Sequence, residues 1–157
     1  MNWEVFTQNL QATLPHITDR CFLVIATPDR TRYVQFAASS NGLTAETTGP
    51  EFASSTPLRP ADSSAMVAAG WTAPTPASPN WVRDMPLPAL SQEFAELAEH
   101  CTAALRELHQ VESPDTLSYR AWREPEYRPA GEADDDWLDP GEDPLQLPTL
   151  GLPPTAE

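Results

Sequence analysis

The densest set of groups able to do chemistry is the acidic run Glu132-Ala133-Asp134-Asp135-Asp136, followed by Asp139, Glu142 and Asp143. Carboxylates so close together invite a hard cation such as calcium, which needs several oxygens converging on one point. The spacing does not provide that convergence. A calcium loop places acids at alternate positions before a glycine and a distant glutamate, and here Trp137, Leu138 and Pro140 break the alternation. The run reads as a solvated acidic tail. The three histidines, His16, His100 and His109, are dispersed, and the separation of the last two puts them on different sides of a helix. Zinc ligand pairs sit three or four residues apart on one helical face, so no metal site is expected, and each histidine is expected at the surface or its boundary.

Nucleophilic, phosphoryl-transfer and redox chemistry lack their marks as well. The chain has six glycines and contains no Gly-x-Ser-x-Gly elbow, no phosphate loop and no dinucleotide fingerprint. No cofactor, no catalytic residue and no enzymatic activity are therefore expected. A constellation assembled from distant residues such as Glu46, His100 and Asp115 is the alternative that would make the protein a small-molecule binder or an enzyme. Cys21 and Cys101 each lie among apolar residues and are expected as buried free thiols, since disulfide-dependent small folds carry more cysteines.

The remaining chemical resource is aromatic: Trp3, Trp71, Trp81, Trp122 and Trp137, with Tyr33, Tyr119 and Tyr127. Tryptophan and tyrosine anchor protein and peptide interfaces, and they also fill cores. Trp3 is expected in the core. For Trp81, inside a proline-rich passage, and Trp122, on the polar face of a late segment, an exposed binding role and a core role both fit.

The elements that position these residues follow from periodicity. Trp3, Phe6, Leu10 and Leu14 form one helical stripe that Pro15 ends. Residues 20–27 are apolar on both faces, and residues 31–39 alternate Val34, Phe36 and Ala38 against Tyr33, Gln35 and Ala37. With a third strand over 43–48 after Asn41-Gly42, three antiparallel strands are expected. Asp62 to Ala69 reads as a short helix closed by Gly70. Residues 72–88 carry five prolines but also Asn80-Trp81-Val82 and Met85, and read as an ordered loop or short edge strand. From Leu90 to Val111 a stripe through Phe94, Leu97, Cys101, Leu105 and Leu108 predicts the longest helix, stopped by Ser113-Pro114. Thr116 to Arg123 alternates as a last strand or docked arm.

Charge divides the chain unevenly. Residues 124–157 hold ten of the 23 acids, one of the nine basic residues and seven of the 18 prolines. The expected organisation is an α+β domain over 1–123, with an antiparallel sheet of three to five strands flanked by helices, and an acidic proline-rich C-terminal tail over 124–157, extended or disordered. Neither part carries the positive surplus that phosphate binding needs, so nucleic acid is not an expected partner. The amino terminus has no basic and apolar leader pattern, and no run approaches the length of a membrane span, so a cytoplasmic protein with no membrane partner is expected.

Several short motifs carry a family likeness. They are the helix with Trp3 and Phe6, the strand Arg32-Tyr33-Val34-Gln35-Phe36-Ala37, and Leu43-Thr44-Ala45-Glu46. Gly70-Trp71, Asn80-Trp81 and Thr102-Ala103-Ala104-Leu105-Arg106-Glu107-Leu108 complete the set. Over about residues 3–123 the chain resembles the actinobacterial TY-Chap domains, grouped with the type III secretion chaperones and the YbjN family. The resemblance implies a type III secretion chaperone-like fold, a homodimer, and binding of a peptide or partner protein without catalysis. The acidic tail and the long proline-rich middle loop depart from a minimal domain of that kind. A structural subunit of a larger assembly is the alternative from another class. With helices covering the apolar sheet face, the second face would carry Tyr33, Gln35, Thr44 and Glu46, rimmed by Trp81 and joined by Trp122. That face is either an open groove for a partner polypeptide or a surface covered by the chain's own loop 72–88.

Overall fold

A computed structural model describes residues 1–49, 60–127 and 137–156. The acidic run Glu132 to Asp136 lies outside the described residues.

Helix α1, Trp3–Thr13, starts where the Asn2 side chain accepts from the Val5 amide at 2.8 Å, and its buried stripe is Phe6, Leu10 and Thr13. Pro15 lies in the short 3-10 turn Leu14–His16 that follows. Strands β1 (Cys21–Ala26), β2 (Tyr33–Ala38) and β3 (Gly42–Thr47) then form an antiparallel meander. The first turn is built by Asp29, whose Oδ1 accepts from Thr27 Oγ1, Thr31 N and Thr31 Oγ1, with Arg30 in the left-handed region at φ +61. These three bonds hold the Asp29 carboxyl down at about 2.

Helix α2, Pro60–Ala68, ends at Gly70, whose φ of +93 suits a residue without Cβ. Strand β4, Trp81–Pro86, joins the free edge of β3. Helix α3, Ser91–Ala103, widens into a π-helical turn over Ala104–Leu108, so the expected twenty-residue stripe is one continuous helical rod with a change of winding. Strand β5, Ser118–Arg123, pairs with β1, giving a five-stranded antiparallel sheet ordered β4-β3-β2-β1-β5. The short strands β6 (Glu126–Tyr127) and β7 (Trp137–Asp139) form a separate hairpin-like pair.

The sheet register assigns every second residue to one layer. Leu23, Ile25, Val34, Phe36, Leu43, Ala45, Tyr119 and Ala121 point to the helical side and are at most 4% exposed. Helices α1 and α3 pack together above them, with Thr7 and Thr102 hydroxyls 2.7 Å apart. Both cysteines are buried free thiols in this layer. The architecture is the expected α+β class, with five strands and the helices on one side of the sheet.

Residues 137–156 pack back on the domain. Leu147, Leu150 and Leu152 are buried in the main core, and Leu150 sits against α1, where Asn9 Nδ2 donates to its carbonyl. Four leucines (Leu145, Leu147, Leu150, Leu152) spaced among prolines supply the apolar area for this docking. Backbone bonds along β5 add to it: Leu145 N–H to Ala121 O at 2.8 Å, and a reciprocal pair between Arg123 and Glu142.

Candidate functional site

The face of the sheet turned away from the helices carries Phe22, Val24, Tyr33, Gln35, Ala37, Thr44, Glu46, Arg120 and Trp122, all half-buried or exposed. The cross-strand register sets Gln35 between Val24 and Glu46, Thr44 beside Asp84, and Trp122 beside Phe22. Five of the six residues expected at a binding face are thus brought onto one surface: Tyr33, Gln35, Thr44, Glu46 and Trp122. The sixth, Trp81, is 1% exposed and faces the helical layer opposite Thr47. Its expected place on the rim is corrected by the parity of β4. Starting the strand at Trp81 sends positions 81, 83 and 85 inward and 82, 84 and 86 outward.

The polar groups of this face hold one another in fixed positions. Gln35 Nε2 donates to Glu46 Oε2 at 2.9 Å, and Thr44 Oγ1 donates to Asp84 Oδ1 at 2.7 Å. Asn80 Nδ2 donates to the Tyr33 hydroxyl at 3.0 Å. The Trp122 ring stacks on Phe22, its Nε1 donates to Glu124, and the Arg120 guanidinium lies 4.4 Å above it while pairing with Asp143 at 3.2 Å.

One end of this face is a groove of about 590 Å³. Its floor is Val24, Ala26 and Trp122, and one wall is formed by Pro153, Pro154 and Thr155. Arg30 stands at its mouth, exposed, its amide donating to Thr27 O and its guanidinium without a hydrogen bond or ion pair to another described residue. The proline-rich loop does not line the groove and reaches it only through the Asn80 bond to Tyr33. Thr72 instead exchanges both backbone bonds with Val82 on the outer edge of β4, so residues 72–80 lie beside the sheet. The periodicity of β5 foretold Arg120 next to Trp122, but nothing in the sequence pairs Pro153 with β5. That contact is long-range and carries no local pattern.

The residues of the alternative catalytic reading stay apart. Glu46 is on the open face, Asp115 accepts from the Met1 amino group at 2.7 Å, and His100 lies on the helical side, bonded to Arg83. Burial, and then Arg83, hold His100 below its ordinary value. His109 is buried rather than at the boundary. Its Nε2 lies 2.9 Å from Thr47 Oγ1, and desolvation followed by the nearby Arg32 charge lowers it to about 4. The physical reason is helical register: half a turn away from His100, His109 continues the buried stripe of Ala98, Cys101 and Leu105. Burial pushes the Cys101 thiol up to about 12, which leaves it protonated and unreactive. Among the described residues no group of three or more histidine, cysteine or carboxylate side chains could hold a metal ion. Asp139, Glu142 and Asp143 face Arg20, Arg120 and Arg123 instead.

The sheet is thus covered by helices on one face and carries a partly aromatic groove on the other. The chain matches, over residues 1–123, the family model of T3SS (YopN, CesT) and YbjN peptide-binding chaperone 3, TY-Chap3, and it belongs to that family. No curated protein and no solved structure matches the chain. No helix among the described residues is long and apolar enough to cross a membrane.

Proposed function

We propose that this protein is a non-catalytic, cytoplasmic holder of a partner polypeptide, and that it binds an extended segment of that partner along the open sheet face at the groove. The observation that carries the reading is the one-sidedness of the sheet. Helices pack on one face, while Tyr33, Gln35 and Trp122 stand half-buried around the groove on the other. A peptide-binding chaperone family supports the class of partner. Trp122 is the principal anchor, because its ring is already stacked on Phe22 and loses little side-chain freedom on contact. Gln35 and Glu46 supply a fixed donor–acceptor pair for the partner's backbone or polar side chains.

The two sheet edges differ in how they could take a strand. On β4, Val82 is paired with Thr72 and Pro86 lacks an N–H, which leaves only Asp84 to present an outward amide. On β5, the outward N–H and C=O of Tyr119 and Arg123 and the C=O of Ala121 bond to the chain's own residues 142–155. With these edge bonds in place, the face offers a partner chiefly side chains over the groove.

Selection of a random-peptide display library on the intact protein tests the reading. Selected peptides are expected to lose roughly tenfold or more in affinity for the Trp122→Ala variant, the scale of an interface anchor. Peptides that bind this variant as well as the parent, or a library that yields no binder, would remove the groove from the function.

A further inference from the structure

Residues 153–156 lie where a bound chain would lie. Between the buried Leu150 and Leu152 the backbone turns at Gly151, φ +73, and beyond Leu152 it runs parallel to β5. Tyr119 N–H donates to Pro153 O at 3.0 Å, and Thr155 N–H donates to Tyr119 O at 2.7 Å. The Ser118 and Thr155 hydroxyls meet at 2.8 Å. These are the bonds of strand addition, made in cis.

The segment is held lightly compared with what precedes it. Leu147, Leu150 and Leu152 are core residues, and Asp139, Glu142 and Asp143 are paired with arginines. Pro153, Pro154 and Ala156 are exposed, all four residues are uncharged, and none belongs to the core. Two main-chain bonds and one hydroxyl contact can open while the leucine anchor stays in place.

We infer that Pro153–Ala156 is an exchangeable occupant of the β5 edge, and that the partner segment this site takes is extended, uncharged and proline-bearing, making the same two bonds to Tyr119. The inference rests on the groove reading above and adds both the partner's chemistry and a built-in competitor. Tyr119 offers one donor and one acceptor, which the carbonyl of one residue and the amide of the second residue beyond it satisfy. The first and the middle position need no N–H, and prolines occupy both here without losing a bond. The floor of Val24, Ala26 and Trp122 is apolar, Asp115 and Arg120 at the groove border already have partners of opposite charge, and Arg30 at the mouth is exposed to solvent, so an uncharged occupant leaves no buried charge unpaired.

Thr155→Pro in the full chain removes the amide that bonds Tyr119 together with the hydroxyl contact, while Thr155→Val keeps the amide. The probe is a labelled peptide of the chain's own residues 153–156, capped at both ends so that it is uncharged, titrated into each protein and followed at the Tyr119 amide. If the seat is open in about one molecule in ten or fewer, releasing the occupant raises apparent affinity by about tenfold or more. That gain in the proline variant, with the valine variant near the parent, is the expected result. Equal binding to parent and proline variant, or binding to neither, overturns the inference. Amide exchange in the unmodified protein gives a second test that needs no variant. Tyr119 and Thr155 amides are expected to exchange far faster than those of Leu23 and Phe36, and exchange only with global unfolding overturns the proposal. Library peptides that bind parent and proline variant alike would leave the groove reading standing and the competitor fallen. A library without binders, beside a self-peptide that binds only the proline variant, would do the reverse.

Discussion

Trp122 lies flat on Phe22 across the β1–β5 pair, with ring centroids 5.2 Å apart and planes 10° from parallel. The stack stands on the face that the helices leave uncovered, so its energy is not needed to close the core. It fixes the orientation of a ring that remains partly open to solvent and roofed by Arg120.

Trp122→Ala is therefore expected to separate binding from stability. Loss of the stack and of the cation–π contact costs about 0.5–2 kcal/mol of folding stability. Peptide affinity falls by roughly tenfold or more. Urea midpoints measured beside peptide titrations check both, and a large stability loss with unchanged affinity would place Trp122 with the core.

Trp81→Ala is expected to do the opposite. Its ring is fully buried beside the helical layer, and its removal opens a large cavity at a cost of about 3–5 kcal/mol. A well-folded Trp81→Ala variant with impaired peptide binding would contradict its core position.

The contrast between the two tryptophans shows what one sequence makes legible. Alternation in β2 and β3, the stripe of α1 and the Ser118/Arg120/Trp122 face of β5 are local patterns, and each predicts which side of an element is buried. Trp81 was obscured because β4 is framed by prolines and its parity is fixed only by pairing with β3. The docking of residues 137–156 was hidden for a related reason. Carboxylates and prolines dominate that stretch, while Leu147, Leu150 and Leu152 show no regular period, and their partners on α1 and β5 lie far away in sequence. The part of the groove formed by Val24, Tyr33, Gln35 and Trp122 follows from strand patterns. The Pro153–Thr155 wall does not.

Acid sensitivity between pH 6.5 and about 4 is expected to come from buried His109 and half-buried His100. His109 is held neutral in the folded protein and takes a proton readily when unfolded, so stability falls as pH drops below 6.5 and the fall levels off near 4. For His109 the loss amounts to up to about 3 kcal/mol, with His100 adding in the same direction. Urea unfolding of the parent and of His109→Gln across this range checks it. The variant should start less stable at pH 7, through loss of the Thr47 contact, and show a shallower decline.

Asp139 should dominate at lower pH and should act on the C-terminal segment rather than on the whole fold. Its carboxylate accepts from Arg123 Nε at 2.8 Å and Nη2 at 3.2 Å, from Arg20 Nη2 at 3.1 Å and from the Gly141 amide at 3.0 Å. Arg123 first, then the Gly141 amide, holds its acidity well below the ordinary value of 3.8. A carboxylate depressed in this way contributes in full above 3.8, and its contribution is lost as pH falls through the lowered folded value, below the histidine window. The group is partly open to water, so salt also weakens the latch. Asp139→Asn should therefore speed amide exchange at the reciprocal Arg123–Glu142 pair at neutral pH, and remove most of its salt dependence, while leaving exchange in β2 unchanged. Loss of protection throughout the sheet would mean instead that the segment and the domain unfold as one unit.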